Sequence, residues 1–143
     1  MDSIGGLQAK ALEFQQILEA RKHEVAPPDF PWYPYGTLHN FGPLDELMRR
    51  ENSTLLQLMG DDVVLDIGCA DGDLAFFLEH LGCKVQVIDY GPTNFNTMRG
   101  LRLLQGGLAS KVAIHEVDLD AQFDLPQERY SVVFFLGLLY HLK

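Results

Sequence analysis

The sequence has few cysteines, few cationic residues and no long apolar run. Its two cysteines, Cys69 and Cys83, form no Cys-x-x-Cys pair and no Cys/His cluster, which argues against a disulfide framework and a metal site and fits a reducing cytoplasm. There are 11 Lys and Arg against 20 Asp and Glu, and the net charge of -9 disfavours a surface built to bind many phosphates. Charge alone does not exclude RNA as a substrate. No stretch approaches the roughly 20 apolar residues of a membrane span, so we expect neither membrane insertion nor export.

Residues 1–60 predict a helical and aromatic segment. Apolar residues at three- and four-residue spacings indicate an amphipathic helix over 7–21, and they are Leu7, Ala11, Phe14 and Leu18, with Ile17 nearby. A second helix is predicted over 43–59, with a break near Asn52 and Ser53. The proline-rich stretch between the helices carries aromatic rings at Trp32, Tyr33, Tyr35, His39 and Phe41. These rings either form a lid over a substrate or pack the first helix against the rest of the domain.

Residues 61–143 alternate short apolar strands with helices. Strands are predicted over 63–67, 84–89, 111–117 and 130–136, and helices over 74–81 and 92–104. This order predicts an α/β fold, a Rossmann-like doubly wound parallel sheet that is incomplete, with about four strands, and is preceded by N-terminal helices. The phenylalanines Phe76, Phe77, Phe134 and Phe135 are assigned to the core.

The turn after the first predicted strand, from Asp66 to Asp73, is rich in glycine and in acid. Ligands of open α/β sheets bind beyond the carboxyl ends of the strands, and Asp89 and Asp118 also follow predicted strands. A dinucleotide-binding turn would read G-x-G-x-x-G, but Ala70 and Asp73 stand at its third and sixth positions. Carboxylates here would repel a pyrophosphate and suit a cationic ligand without phosphate. The purely structural alternative is a tight turn whose Asp73 caps the following helix.

The run from Val63 to Gly72 resembles motif I of class I S-adenosylmethionine-dependent methyltransferases, and the resemblance covers about residues 61–143. It implies S-adenosyl-L-methionine as the cofactor, held by the motif I loop and by acids that follow the second and third strands. Ala70 stands where the family more often has a second glycine. The residues implied to bind the cofactor are Asp66, Gly68, Cys69, Ala70, Asp71, Gly72, Asp89, Tyr90, Asp118, Leu119, Leu136 and Gly137.

The stretch from Phe134 to Leu142 resembles motif IV, whose end flanks the transferred methyl group. His141 is the first candidate for a general base, the alternative being a histidine that caps or packs a helix, and Tyr140 is a candidate to hydrogen-bond the substrate. The stretch is also similar to the corresponding run in wobble-uridine carboxymethyltransferases of tRNA. Motif I would look much the same in a protein that binds a carboxylated relative of S-adenosylmethionine, so motif I does not distinguish these two donors. The acceptor is not identified by sequence, and we favour a small molecule.

The family sheet has seven strands, whereas this sequence contains four predicted ones. The fourth would then be an uncovered apolar edge, which folded monomers avoid. We therefore expect either a fragment, which would be doubtful as an active enzyme by itself, or a chain that completes its sheet by association with another chain. Three functions are open: a methyltransferase, a non-catalytic S-adenosylmethionine-binding module that acts through a partner, and an NAD-dependent oxidoreductase, against which the acidic loop counts.

Overall fold

The computed structural model describes residues 6–121 and 130–136. This described part contains helices α1 Gly6–Val25, α2 Phe41–Arg50, α3 Leu55–Met59, α4 Asp73–His80 and α5 Arg99–Gly107. Its strands are β1 Val63–Ile67, β2 Val85–Asp89, β3 Ala113–Glu116 and β4 Tyr130–Phe134. Short 3-10 turns lie at Leu38–Asn40 and Gly91–Thr93. None of the helices in these two ranges has the length and apolar character needed to cross a membrane.

The four strands form one parallel sheet in the order β3-β2-β1-β4. From β1 the chain places β2 and then β3 on one side of the sheet, and β4 pairs with the other side of β1. The strand order therefore reverses at β1, and the carboxyl ends of all four strands lie along one edge, where ligands of such sheets bind. The predicted Rossmann-like α/β architecture, with helices before it, is confirmed.

The N-terminal helices and the sheet share one hydrophobic core. The predicted stripe of α1 is buried at Leu7, Ala11, Phe14 and Leu18, whereas Ile17 is exposed. Phe41 is buried and places its ring 4.9 Å from that of Phe77 and 6.4 Å from that of Phe134. This one aromatic of the N-terminal stretch thus packs the helices onto the sheet, as the second interpretation of the rings expected.

Side chains decide two of the predictions, the break in the second helix and the burial of the four phenylalanines. The break between α2 and α3 is confirmed: Thr54 and Gln57 form a capping box at the start of α3, and the Asp45 carboxylate accepts a hydrogen bond from the Leu55 N–H at 3.0 Å. The assignment of Phe135 to the core is wrong, because this side chain is exposed just past the end of β4. Phe76, Phe77 and Phe134 are buried, as predicted.

The prediction of a helix over 92–104 is wrong in its first half, since α5 begins only at Arg99. Asn94 accepts hydrogen bonds from the backbone N–H groups of Asn96 and Met98, and Thr97 and Met98 both have positive φ angles. Asparagine side chains that bond nearby backbone groups compete with helical hydrogen bonds. Residues 94–98 consequently form a compact irregular segment beside the end of β2.

Candidate functional site

A cavity of about 480 Å³ opens at the carboxyl edge of the sheet. Its volume falls within the range of small-molecule sites. Seven of the residues predicted to bind a cofactor line it, namely Gly68, Ala70, Asp89, Tyr90, Asp118, Leu119 and Leu136. The other lining residues are Tyr33, Ile88, Thr93, Asn94, Phe95, Val117 and Asp120. The ends of β1, β2 and β3 and the segment just past β4 therefore meet at one site.

The loop between β1 and α4 turns sharply at three residues with left-handed backbone. The φ angles are 75° at Gly68, 53° at Ala70 and 88° at Gly72. The Gly68 N–H donates to the Ile88 carbonyl at 2.8 Å, which joins the loop to β2. A Cβ at Gly72 would lie 2.6 Å from the Leu101 side chain, so this glycine lets the loop pack against α5. Of the loop residues, Gly68 and Ala70 line the cavity, while Cys69, Asp71 and Gly72 do not.

Asp89 ends β2 and ties the loop to the wall of the cavity. Its Oδ2 accepts hydrogen bonds from the Ala70 N–H at 3.1 Å and from the Asn94 Nδ2 at 3.0 Å. Its Oδ1 accepts from the Tyr90 N–H at 2.8 Å. The Cys69 Sγ also donates weakly to Oδ2, at 3.9 Å. A carboxylate oxygen offers about two acceptor positions, so Oδ1, which accepts from Tyr90, can still accept a hydrogen bond from a hydroxyl group.

Asp66 and Cys69 lie behind the cavity wall and are buried. Burial, and secondarily the charge of Asp89, raise the pKa of the Asp66 carboxyl from 3.8 to about 7. Burial also raises the pKa of the Cys69 thiol well above its usual value, with the nearby carboxyls Asp66, Asp89 and Asp71 adding to the effect. This thiol therefore stays protonated near neutrality, as expected of a small packed side chain.

Asp71 is buried, and its carboxylate bonds the N-terminal aromatic stretch and the segment before α5. Oδ2 accepts a hydrogen bond from the Tyr33 N–H at 2.6 Å, and Oδ1 accepts one from the Asn96 Nδ2 at 2.8 Å. Asp71 therefore joins three chain segments and is not among the residues that line the cavity, and its role toward the cofactor stays a prediction.

Asp73 begins α4, and the N-cap of that helix is Gly72. The interpretation of Asp73 as the cap is wrong, because its Oδ2 instead pairs with the Lys22 Nζ at 3.3 Å. Lys22 is 7% exposed and lies on α1. Burial raises the pKa of Asp73, and the Lys22 charge opposes that shift. The ion pair links α1 to the start of α4, directly after the loop that borders the cavity.

Sequence reasoning did not assign seven of the lining residues to a cofactor site, among them Thr93 to Phe95 and Tyr33. Thr93, Asn94 and Phe95 were expected within a helix, and only the polar pair Asn94 and Asn96 signalled an irregular segment. Tyr33 was named only as part of a lid or of the core, and the structure brings it to the cavity. Its neighbour Tyr35 is 71% exposed. Gly137, Tyr140 and His141 lie outside the described residues, so their predicted roles stay predictions. Within residues 6–121 and 130–136 no cluster of metal-binding side chains is present.

Several solved structures resemble the described fold. EvdMO1 aligns over 90% of this chain and 30% of its own, with a TM-score of 0.53 and 16% identity, so this similarity shows the fold alone. The CcbJ methyltransferase from Streptomyces caelestis is 28% identical over 55% of this chain and 31% of its own, with a TM-score of 0.45. PH0226 from Pyrococcus horikoshii OT3 is 20% identical over 67% of this chain and 43% of its own, with a TM-score of 0.45.

The chain spans less than half the length of each of these three solved structures, between 30% and 43%. No protein-family model and no curated protein matches the sequence.

Proposed function

We propose that the cavity binds S-adenosylmethionine and that the chain forms the cofactor-binding part of a methyltransferase. The observation that carries this proposal is the arrangement of Asp89 and Asp118 at the ends of neighbouring strands, around a cavity bordered by Gly68 and Ala70. An acid at the end of the second strand is the group that accepts ribose hydroxyls in Rossmann-like folds. Asp89 lines the cavity, and its Oδ1 keeps acceptor capacity after the four protein hydrogen bonds of the carboxylate are counted.

The charge of the lining favours this ligand over a dinucleotide. Of the fourteen lining residues in the described part, three are aspartates and none is Lys or Arg. A pyrophosphate is normally held by the free N–H groups at the start of the first helix. Here Asp71 and Asp73 stand at the start of α4 and neither lines the cavity. The sulfonium and amino groups of S-adenosylmethionine are cationic, so the carboxylates would attract this ligand and repel phosphates.

In this proposal Asp89 binds the ribose, Tyr90, Leu119 and Leu136 flank the adenosine, and Asp118 accepts from the adenine amino group. The cofactor supplies a methyl group that an acceptor takes by in-line displacement, forming a bond to carbon while sulfur keeps the electrons of the broken bond. Alignment of the acceptor is then the main task of the protein. His141 as the base and Tyr140 as a substrate contact complete the proposal, with a small molecule favoured as the acceptor.

Calorimetric titration of the chain with S-adenosylhomocysteine and, separately, with NAD tests the cofactor. We expect binding of the homocysteine compound and weaker or undetectable binding of NAD, because only NAD brings a pyrophosphate to the acidic wall. Tighter binding of NAD would overturn the proposal. A parallel titration with a carboxylated S-adenosylmethionine separates the two donors that motif I leaves open.

The variant Asp89→Ala tests the ribose contact. We expect it to weaken S-adenosylhomocysteine binding by about tenfold or more, since hydrogen bonds to a charged group contribute roughly 1.5–3 kcal/mol. The matched control is Asp61→Ala, which removes the same charge from an exposed position before β1. Thermal unfolding of both variants shows that the fold is retained. Equal affinities for the two variants would show that the site map is wrong.

A further inference from the structure

The segment from Pro31 to Tyr35, here named the strap, is held against the cavity by side chains distant in sequence. The Asp71 Oδ2 accepts from the Tyr33 N–H at 2.6 Å. The Asn96 Nδ2 lies 2.8 Å from the Asp71 Oδ1 and 3.2 Å from the Pro31 carbonyl oxygen. Asn96 in turn accepts a hydrogen bond from the Gly100 N–H on α5 at 3.1 Å. The strap is thus bonded to the β1–α4 loop and to the segment before α5.

The strap brings the aromatic residue Tyr33 to the cavity. The Tyr33 side chain lines the cavity, and its ring lies 5.9 Å from the ring of Phe95, which lines it too. The Tyr35 ring meets Tyr33 edge to face at 5.5 Å. Phe95 is 55% exposed, although large aromatic side chains are usually well covered. These rings present an apolar surface that a planar ligand group in the cavity can bury.

A second set of contacts fixes the strap from the side of α1. The Lys22 Nζ lies 5.4 Å from the centre of the Trp32 ring and 3.3 Å from the Asp73 Oδ2. The Trp32 ring also packs against Phe30 at 4.6 Å. Asp71 in the β1–α4 loop therefore bonds the strap directly, and Asp73 at the start of α4 contacts it through Lys22.

We propose that Asp71 is a positioning residue that holds Tyr33 over the cavity, so that Tyr33 closes on the bound ligand. This inference rests on the proposed function for the identity of that ligand. Asp71 itself is 3% exposed and does not line the cavity, so it acts through the strap. A carboxylate accepts from both N–H donors at once, whereas an asparagine in its place turns an NH₂ group toward one of them. Asp71→Asn thus releases the strap with little change in volume.

Trp32, the sole tryptophan, reports on the strap without any ligand. In Asp71→Asn we expect Trp32 emission to shift to longer wavelength and its quenching by acrylamide to increase. The matched control is Asp45→Asn, since Asp45 is also a buried carboxylate that accepts two hydrogen bonds, from Arg49 and Leu55, but it lies in α2 away from the cavity. Unchanged Trp32 quenching in Asp71→Asn would overturn the inference. Should that variant fail to fold, Asn96→Ser frees the same network and is expected to give the same increase.

A double-mutant cycle with S-adenosylhomocysteine separates positioning from direct contact. We expect Asp71→Asn and Tyr33→Ala each to weaken binding about tenfold, and the double variant to bind no more weakly than Tyr33→Ala alone, because coupled residues are not additive. Additive losses would show that Asp71 acts independently of Tyr33 and would overturn the inference. If the unaltered chain does not bind the compound, the proposed function fails, while Trp32 quenching still decides whether Asp71 holds the strap.

Discussion

Asp66 is a buried acid whose ionisation depends on the folded state. Its pKa of about 7 in the fold lies above the ordinary 3.8, so the folded chain keeps a proton between roughly pH 4 and 7 that the unfolded chain has lost. The contribution of Asp66 to stability therefore falls as pH rises through that window and is constant above it. Asp66→Asn cannot ionise. We expect the free energy of unfolding of Asp66→Asn, minus that of the original chain, to rise by on the order of 2 kcal/mol from pH 5 to pH 8. Urea unfolding at each pH measures this difference. A constant difference would contradict the burial of this charge.

At the same residue scale, the sequence could predict positions but not directions of side chains. Gly68 and Asp89 follow predicted strands and were implied as cofactor-binding by the motif I resemblance, and both line the cavity. Asp71 was implied by the same resemblance, yet its carboxylate bonds Tyr33, 38 residues earlier in the chain. No local pattern encodes such a hydrogen bond, because it depends on how an irregular proline-rich segment folds back.

The loop between β1 and α4 shows at the scale of an element how residue type and backbone conformation can disagree. Ala70 has a φ of 53°, a conformation that costs alanine about 1 kcal/mol and glycine very little. We expect Ala70→Gly to raise the free energy of unfolding by about 0.5–1 kcal/mol. Gly72→Ala should lower it by about 2–4 kcal/mol, since the added Cβ meets Leu101 and Phe76 at 2.6 and 2.7 Å and φ is also positive. Urea unfolding of both variants measures the effects, and changes of the same sign would contradict this description of the loop.

Among the elements, the strands and the starts of α1, α2 and α4 were predicted to within two residues, whereas the start of α5 was not. Each observed strand lies within two residues of its predicted ends, because buried parallel strands are short apolar runs bounded by turn residues. The start of α5 was misplaced because Asn94 and Asn96 bond nearby backbone groups in place of a helical turn. The lining residues Thr93 to Phe95 were therefore missed together with that start.

For the whole molecule, the net charge of -9 disfavours binding to polyanions such as nucleic acid. Binding of nucleic acid through Lys and Arg strengthens as salt is lowered, because counterions are released from the phosphates. We expect the affinity of this chain for a single-stranded RNA oligonucleotide not to increase between 200 and 50 mM salt, roughly the range over which such effects are large. Fluorescence anisotropy of labelled RNA measures it. A clear gain in affinity at low salt would reveal a basic face and would favour RNA over a small molecule as the acceptor.

The strand order β3-β2-β1-β4 also has a consequence for synthesis on the ribosome. Among the described residues, two helices and two strands lie between β1 and its neighbour β4 along the chain, so β1, β2 and β3 are made first and can pair while β4 is still absent. The wall that holds Gly68, Asp89 and Asp118 then forms early, and Leu136 arrives last. Until β4 docks, the nascent chain presents one free apolar edge of β1, and a chaperone that binds extended apolar segments would engage it at that point.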